Sequence, residues 1–237
     1  MNKEIRKTEE EITLLYAKKF VFSEHLTKYE DDKLKNKYDH NYFAYSDDFT
    51  KEEFEKALSY QLDKGADFLK FIGRISLNEK YGMEEGVVLT MLLENNDTSL
   101  WKSNSRLEFK KPDKEELKKH ELKEYGNIYG EEFTLANIDR LYDKQDYVAA
   151  YPNGQLAGSC ITYVNDEYVA IDNMLVDENM RNQYVCTSLL KKIVDENSDK
   201  KIYLHADEDD TPRYLYERLG FRIADRGYEY HLLNIKK

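Results

Sequence analysis

The stretch from Ile171 to Phe221 constrains the fold most. Ile171-Asp-Asn-Met-Leu-Val176 reads as an apolar strand, a polar turn ending in Arg181 follows, and Thr187 to Glu196 places apolar residues at helical spacing. A second apolar strand, Lys201-Ile-Tyr-Leu-His-Ala206, leads into a short helix, Leu215-Tyr-Glu-Arg-Leu-Gly-Phe221. Thr211-Pro212 supplies a cap and a proline at the first helical position, and Gly220 ends the helix. Strands and helices in this alternation predict an α+β protein with a mixed sheet.

Upstream, Glu9 to Lys28 has apolar residues at Ile12, Leu15, Tyr16, Phe20 and Phe22 and predicts a helix. Asp39 to Tyr45 is aromatic-rich and reads as a strand or an irregular segment. Thr50-Lys-Glu-Glu53 is a capping-box pattern, opening a helix that ends near Gly65. Phe68 to Ile75 and Gly86 to Leu93 read as strands. The polar run Asn95 to Ser105 suggests a boundary, so residues 1–104 and 105–237 are expected to form two domains.

From Arg106 the predicted order is strand, two helices, three strands, helix, strand, helix and two final strands meeting near Gly227. The second helix covers Glu131 to Lys144. That order, with Arg181-Asn-Gln-Tyr-Val-Cys186 before one helix and the Leu215–Phe221 heptapeptide after it, resembles the GNAT superfamily of acetyl-CoA-dependent N-acetyltransferases. The resemblance covers about 130 residues, the C-terminal half. It implies the GNAT acyl-CoA N-acyltransferase fold there. The N-terminal half then reads as an α/β extension or as a degenerate GNAT-like repeat.

The resemblance also implies a cofactor site. A helix N-terminus carries unpaired N–H groups and partial positive charge, which suit the pyrophosphate of acetyl-CoA. In the family the segment before that helix is Gln/Arg-x-x-Gly-x-Gly/Ala. Arg181 matches its first position, whereas Tyr184 and Cys186 stand where small residues are usual. Asn182, Gln183 and Thr187 complete the segment, and Met174, Leu175 and Val176 would offer backbone groups to the pantetheine arm. A left-handed Tyr184 would cost roughly 1–2 kcal/mol, comparable with the ~0.3–2 kcal/mol that the helix dipole gives an anion. Cys186 is either a reactive thiol, as helix N-termini can produce, or a small buried filler. Asp209 falls where the family often has an asparagine facing the cofactor, but an ionised carboxylate cannot donate.

Two residues are implied in catalysis. Asp172 lies where polyamine acetyltransferases of the superfamily carry a glutamate, and is the candidate base; a structural aspartate is the alternative. Simple alternation would put Ala170, Asp172 and Met174 on one face. Tyr216 matches the family tyrosine near the cofactor sulfur and is the candidate proton donor. His205 is a further residue that could line the acceptor pocket.

Composition bounds the partners. Net charge is −11, against a nucleic-acid or anionic-membrane binder, whose affinity comes from Lys and Arg meeting phosphates. Two cysteines and five histidines show no metal spacing, and Asp207-Glu-Asp-Asp210 lacks the glycine and distal glutamate of a calcium loop. The charged first ten residues do not read as a signal peptide, and no apolar run approaches a membrane span. A cytoplasmic protein is expected, acting on a small-molecule or peptide amine and compatible with the homodimers common in the family. The competing expectation is a non-catalytic GNAT-like binding or interaction module with impaired CoA binding.

Overall fold

A computed structural model describes residues 3–236. It divides into two compact units, one made of residues up to Thr90, Ala206–Arg213 and the residues from Ile223, the other of Met91–His205 and Tyr214–Arg222. Residues 91–104 group with the second unit, and the closing strand joins the first from Ile223 onward. The polar run Asn95–Ser105 is anchored rather than linking. Asn104 donates its backbone N–H to Ser188 Oγ (2.8 Å) and its amide to the Gln183 carbonyl (3.3 Å).

In the first unit, helix α1 spans Lys3–Leu14 and is followed by strands β1 (Lys18–Val21) and β2 (Leu26–Glu30). The expected helix from Glu9 to Lys28 therefore stops early. Phe20 and Val21 are strand formers, and β1 and β2 pair antiparallel from Lys18↔Glu30 to Val21↔Thr27. Strand β3 (Phe43–Tyr45) extends this meander. Helix α2 (Lys51–Asp63) carries the predicted capping box, with Thr50 Oγ1 accepting from Glu53 N–H (3.2 Å) and the Glu53 carboxylate from Thr50 N–H (2.9 Å). It crosses to β4 (Phe68–Gly73), which lies parallel to β3. Strand β5 covers Glu84–Leu93. The core is aromatic: Phe43, Phe49, Phe54, Phe71 and Tyr230 are all buried, with Phe49 stacked on Phe71 at 4.5 Å. Much of the tyrosine and phenylalanine content is packing.

In the second unit, β6 (Leu107–Lys110) precedes helices α3 (Lys114–Tyr129) and α4 (Glu131–Leu141). Asp113 caps α3, accepting from Glu115 N–H at 2.9 Å. Gly130 joins the helices at φ 88°, ψ 144°, a conformation a side chain would strain. Strands β7 (Asp146–Pro152), β8 (Gly158–Val164) and β9 (Tyr168–Val176) form an antiparallel meander. Helix α5 (Val185–Glu196) then crosses to β10 (Lys201–Asp207), parallel to β9. Helix α6 (Pro212–Arg218) leads to β11 (Phe221–Leu233).

The two final strands expected on either side of Gly227 are this one strand, whose last six residues pair with β4. Gly227 is buried within it, and a Cβ there would lie 2.9 Å from Arg74 Nη1. The glycine thus lies within a strand rather than at a turn.

The same sequence of elements occurs in both units. Three antiparallel strands are followed by a helix and a strand parallel to the third: β1-β2-β3-α2-β4, then β7-β8-β9-α5-β10. Among the described residues no helix is long and apolar enough to cross a membrane.

Candidate active site

The second crossover opens where strand pairing stops. Strands β9 and β10 are in register from Tyr168↔Lys201 to Ile171↔Leu204. Strand β9 continues to Val176 and β10 to Asp207, so β9 beyond Ile171 has no ladder from β10. Its other edge carries a bulge: Ser159 faces Leu175, Ile161 faces Asp172, and two residues of β9, Asn173 and Met174, oppose Cys160. Asn173 takes a left-handed conformation, φ 48°, which asparagine tolerates better than most residues.

The register with β8 is regular from Tyr163↔Ala170 to Ile161↔Asp172, so these two residues share a face as alternation predicts, Ala170 buried and Asp172 exposed. The bulge follows Asp172, and it is Met174 that it takes out of the two-residue repeat. Asp172 Oδ1 accepts from Asn173 N–H at 2.7 Å. Asn173 is held by α3, its amide donating to Glu121 (3.3 Å) and its Oδ1 accepting from the Tyr125 hydroxyl (3.4 Å). Glu121 is 2% exposed. Neither Glu121 nor Tyr125 was identified from sequence. The signal available was their one-turn spacing on a helix otherwise full of solvent charges.

The start of α5 supplies the next feature. Tyr184 is its N-cap residue, left-handed at φ 60°, ψ 21°, and makes no side-chain cap. It adopts the backbone expected of the glycine it replaces, and its side chain is 47% exposed. The first N–H groups of α5 therefore lack the side-chain acceptor that α2 and α3 have at their starts. Asn182 is also left-handed. Gln183 donates to the Asn179 carbonyl (3.0 Å), and Arg181 pairs with Glu124 across 3.5 Å. Thr187 is buried in the first turn. Burial pushes the Cys186 thiol up to about 12, which favours the filler over the reactive thiol.

Packing fixes this helix end. Val185 and Leu189 are buried with Leu107, Ala150 and Ala157, and Met174 and Val176 pack against them. Gly158 is required there: a Cβ would lie 2.8 Å from the Leu175 carbonyl and 3.0 Å from Val185 Cγ1. Gly158→Ala should destabilise the protein by about 1–3 kcal/mol through overpacking. Thermal unfolding checks this, and an unchanged melting curve would show that β8 can move aside.

The remaining predicted residues are placed as follows. Leu175 is buried, between the half-buried Met174 and Val176. Tyr216 is buried on α6, its ring 6.0 Å from Phe221. His205 lies edge-on to Tyr203 at 5.8 Å. Asp209 is exposed and belongs to the first unit.

The first crossover differs in its side chains. A Cβ on Gly73, at the end of β4, would lie 2.1 Å from the ring of Tyr45, whose hydroxyl donates to the Ile75 carbonyl (2.6 Å). The α2 N-terminus is occupied by Thr50 and Glu53.

Comparison with known proteins agrees with this geometry. Residues 114–221 match the sequence model of the acetyltransferase (GNAT) family. A search of curated proteins finds no match. Among solved structures, a conserved protein of unknown function from Staphylococcus epidermidis aligns over 92% of this chain and 94% of its own, with TM-score 0.78 and 18% identity. A GCN5-related N-acetyltransferase from Kribbella flavida aligns over 96% and 94%, with TM-score 0.67 and 11% identity. A tandem GNAT protein from the clavulanic acid biosynthesis pathway aligns over 88% and 78%, with TM-score 0.56 and 12% identity. Residues 114–221 are therefore a domain of the acetyltransferase (GNAT) family, in a chain that has the fold of GNAT proteins.

Proposed function

We propose that the second unit is an acetyl-CoA-dependent N-acetyltransferase that acts on a primary amine of a small molecule or peptide. The observation that carries the reading is the end of β9–β10 pairing at Ile171↔Leu204, beside the α5 N-terminus that has no side-chain cap. The residues present fit the cofactor. Backbone groups of Met174, Leu175 and Val176 take the pantetheine arm, and the first N–H groups of α5, with Arg181 near them, take the pyrophosphate.

Bound acetyl-CoA supplies an acyl thioester. Transfer forms the N–C bond to the amine, breaks the C–S bond, and moves one proton from nitrogen to base and one from an acid to sulfur. An amine of pKa about 10.4 is neutral only about once in 2,500 molecules at pH 7, a cost of roughly 4.6 kcal/mol. Asp172, exposed at the bulge, accepts the amine proton directly or through water. Tyr216 is assigned the proton for sulfur, a modest contribution because a thiol of pKa about 8.5 leaves readily.

A second reading draws on the Tyr184 side chain at the α5 N-cap, in place of the family glycine: a GNAT-like module that binds without turnover. Thermal unfolding with acetyl-CoA at about 100 times its dissociation constant separates the two. The reading as an enzyme expects about 2.7 kcal/mol of added stability, a rise of roughly 5–10 °C, together with acetylation of some amine in a panel. No shift at millimolar acetyl-CoA would end it. A shift without turnover would leave the binding module.

A further inference from the structure

The turn between β9 and α5 carries charge, and α3 neutralises it. Arg181, just before the Tyr184 N-cap, lies 3.5 Å from Glu124. The same Glu124 lies 3.8 Å from Lys123, and Lys123 reaches Asp177 at 2.5 Å. Asp177 is fixed in turn, its Oδ1 accepting from Asn179 N–H at 2.9 Å. Lys123 holds the Asp177 carboxyl below the usual carboxylate range. The side chains of Glu124 and Asp177 are only 11% and 12% exposed, against 49% for Lys123 and 57% for Arg181. The carboxylates are thus the anchored partners, and the cations are long side chains with their heads in water.

This arrangement opposes a pyrophosphate. Two cations, Lys123 and Arg181, meet three carboxylates, Glu124, Asp177 and Glu178, the last of which also acts on Lys123. The α5 N-terminus offers its N–H groups, but the side chains beside it supply no net positive charge. Arg181 can serve a phosphate fully only by giving up Glu124. An ion pair with an exposed head is weak and readily exchanged, and a phosphate offers the guanidinium a two-pronged partner of higher charge. Glu124 stays behind, anchored on α3, and repels the anion that has taken its partner.

We infer that Glu124 is a latch on the cofactor site: it holds Arg181 while the site is empty, competes with the pyrophosphate for it, and so sets the affinity for acetyl-CoA. The inference rests on the acetyltransferase reading, which puts the pyrophosphate at the start of α5. Glu124 acts through Arg181 and is a positioning residue. Its effect belongs to the diphosphate end of the cofactor and not to the acyl end.

The test is calorimetric titration of the full chain with acetyl-CoA and with S-acetylpantetheine, which lacks the pyrophosphate and the nucleotide. Glu124→Gln is nearly isosteric and removes only the charge. It should tighten acetyl-CoA binding about fivefold and leave S-acetylpantetheine unchanged. Glu124→Asp, which draws the carboxylate back by one methylene, should shift acetyl-CoA in the same direction by less. In an Arg181→Gln background, Glu124→Gln should gain no more than about twofold, because the contested partner is gone. An acetyl-CoA affinity unchanged or weakened in Glu124→Gln overturns the inference, as does an equal gain with S-acetylpantetheine or an equal gain without Arg181. If the affinity is unchanged while amines are acetylated, the latch falls and the acetyltransferase reading stands. If Glu124→Gln binds acetyl-CoA more tightly and no amine is acetylated, the latch stands and the reading as an enzyme falls. If neither protein binds acetyl-CoA at millimolar concentration, both fall.

Discussion

Asp172→Asn should lower kcat about a hundredfold or more at pH 7 and leave the acetyl-CoA thermal shift unchanged. The substitution is nearly isosteric. The asparagine Oδ1 can still accept from the Asn173 N–H, the hydrogen bond that ties Asp172 to the bulge. What disappears is an acceptor for the amine proton. At high pH the amine is already neutral, so the deficit should shrink, and the rate of the variant should saturate at a higher pH than that of the parent. Initial rates over a pH series measure this. A parallel, uniformly lowered profile would remove Asp172 from proton transfer and leave it a structural aspartate.

Lys28→Met should stabilise the protein at neutral pH. Lys28 is 0% exposed, its ammonium 3.1 Å from Gln61 Oε1 and 4.4 Å from the centre of the Phe43 ring. Burial holds its pKa down at about 7, with Glu30 opposing and Lys64 reinforcing the shift. A drop from the unfolded value of about 10.4 corresponds to roughly 4–5 kcal/mol of destabilisation while both states are protonated. Methionine fills similar space without charge but leaves Gln61 Oε1 unpaired, costing about 1–3 kcal/mol. A net gain of about 1–3 kcal/mol is expected at and below pH 7.

The pH dependence has a definite sign. Between pH 7 and about 10.4 the unfolded chain holds the Lys28 proton and the folded one does not, so this residue makes stability rise with pH across that window. The advantage of Lys28→Met should therefore be largest near pH 6 and fade towards pH 10. Denaturant titrations at several pH values check this. A gain that is independent of pH would mean that Lys28 is not the group titrating.

The sequence revealed the second unit better than the first, for physical reasons. The end of strand β9 at Val176 was located, and the Asn165 Oδ1 that accepts from Tyr168 N–H closes the hairpin before it. The capping box at Thr50 was equally legible because its donors and acceptors lie three residues apart. The Glu9–Lys28 segment was misread because Phe20 and Phe22 suit a helix or a strand, and a partner farther along the chain, Leu26–Glu30, decided between them. The bulge at Asn173 was invisible because it depends on the register with β8. The Glu121 and Tyr125 contacts depend on α3 folding over β9, which no local pattern records. The left-handed Tyr184 was foreseeable only as a departure from the family glycine.

The Tyr45 ring against Gly73 has an evolutionary consequence. At that position the first unit is selected for packing around the ring. The second unit, on the acetyltransferase reading, must instead keep the end of β9 free of its neighbour. Random mutagenesis should therefore sort by unit, with first-unit variants altering melting behaviour and abundance and second-unit variants concentrating the losses of turnover that leave the fold intact.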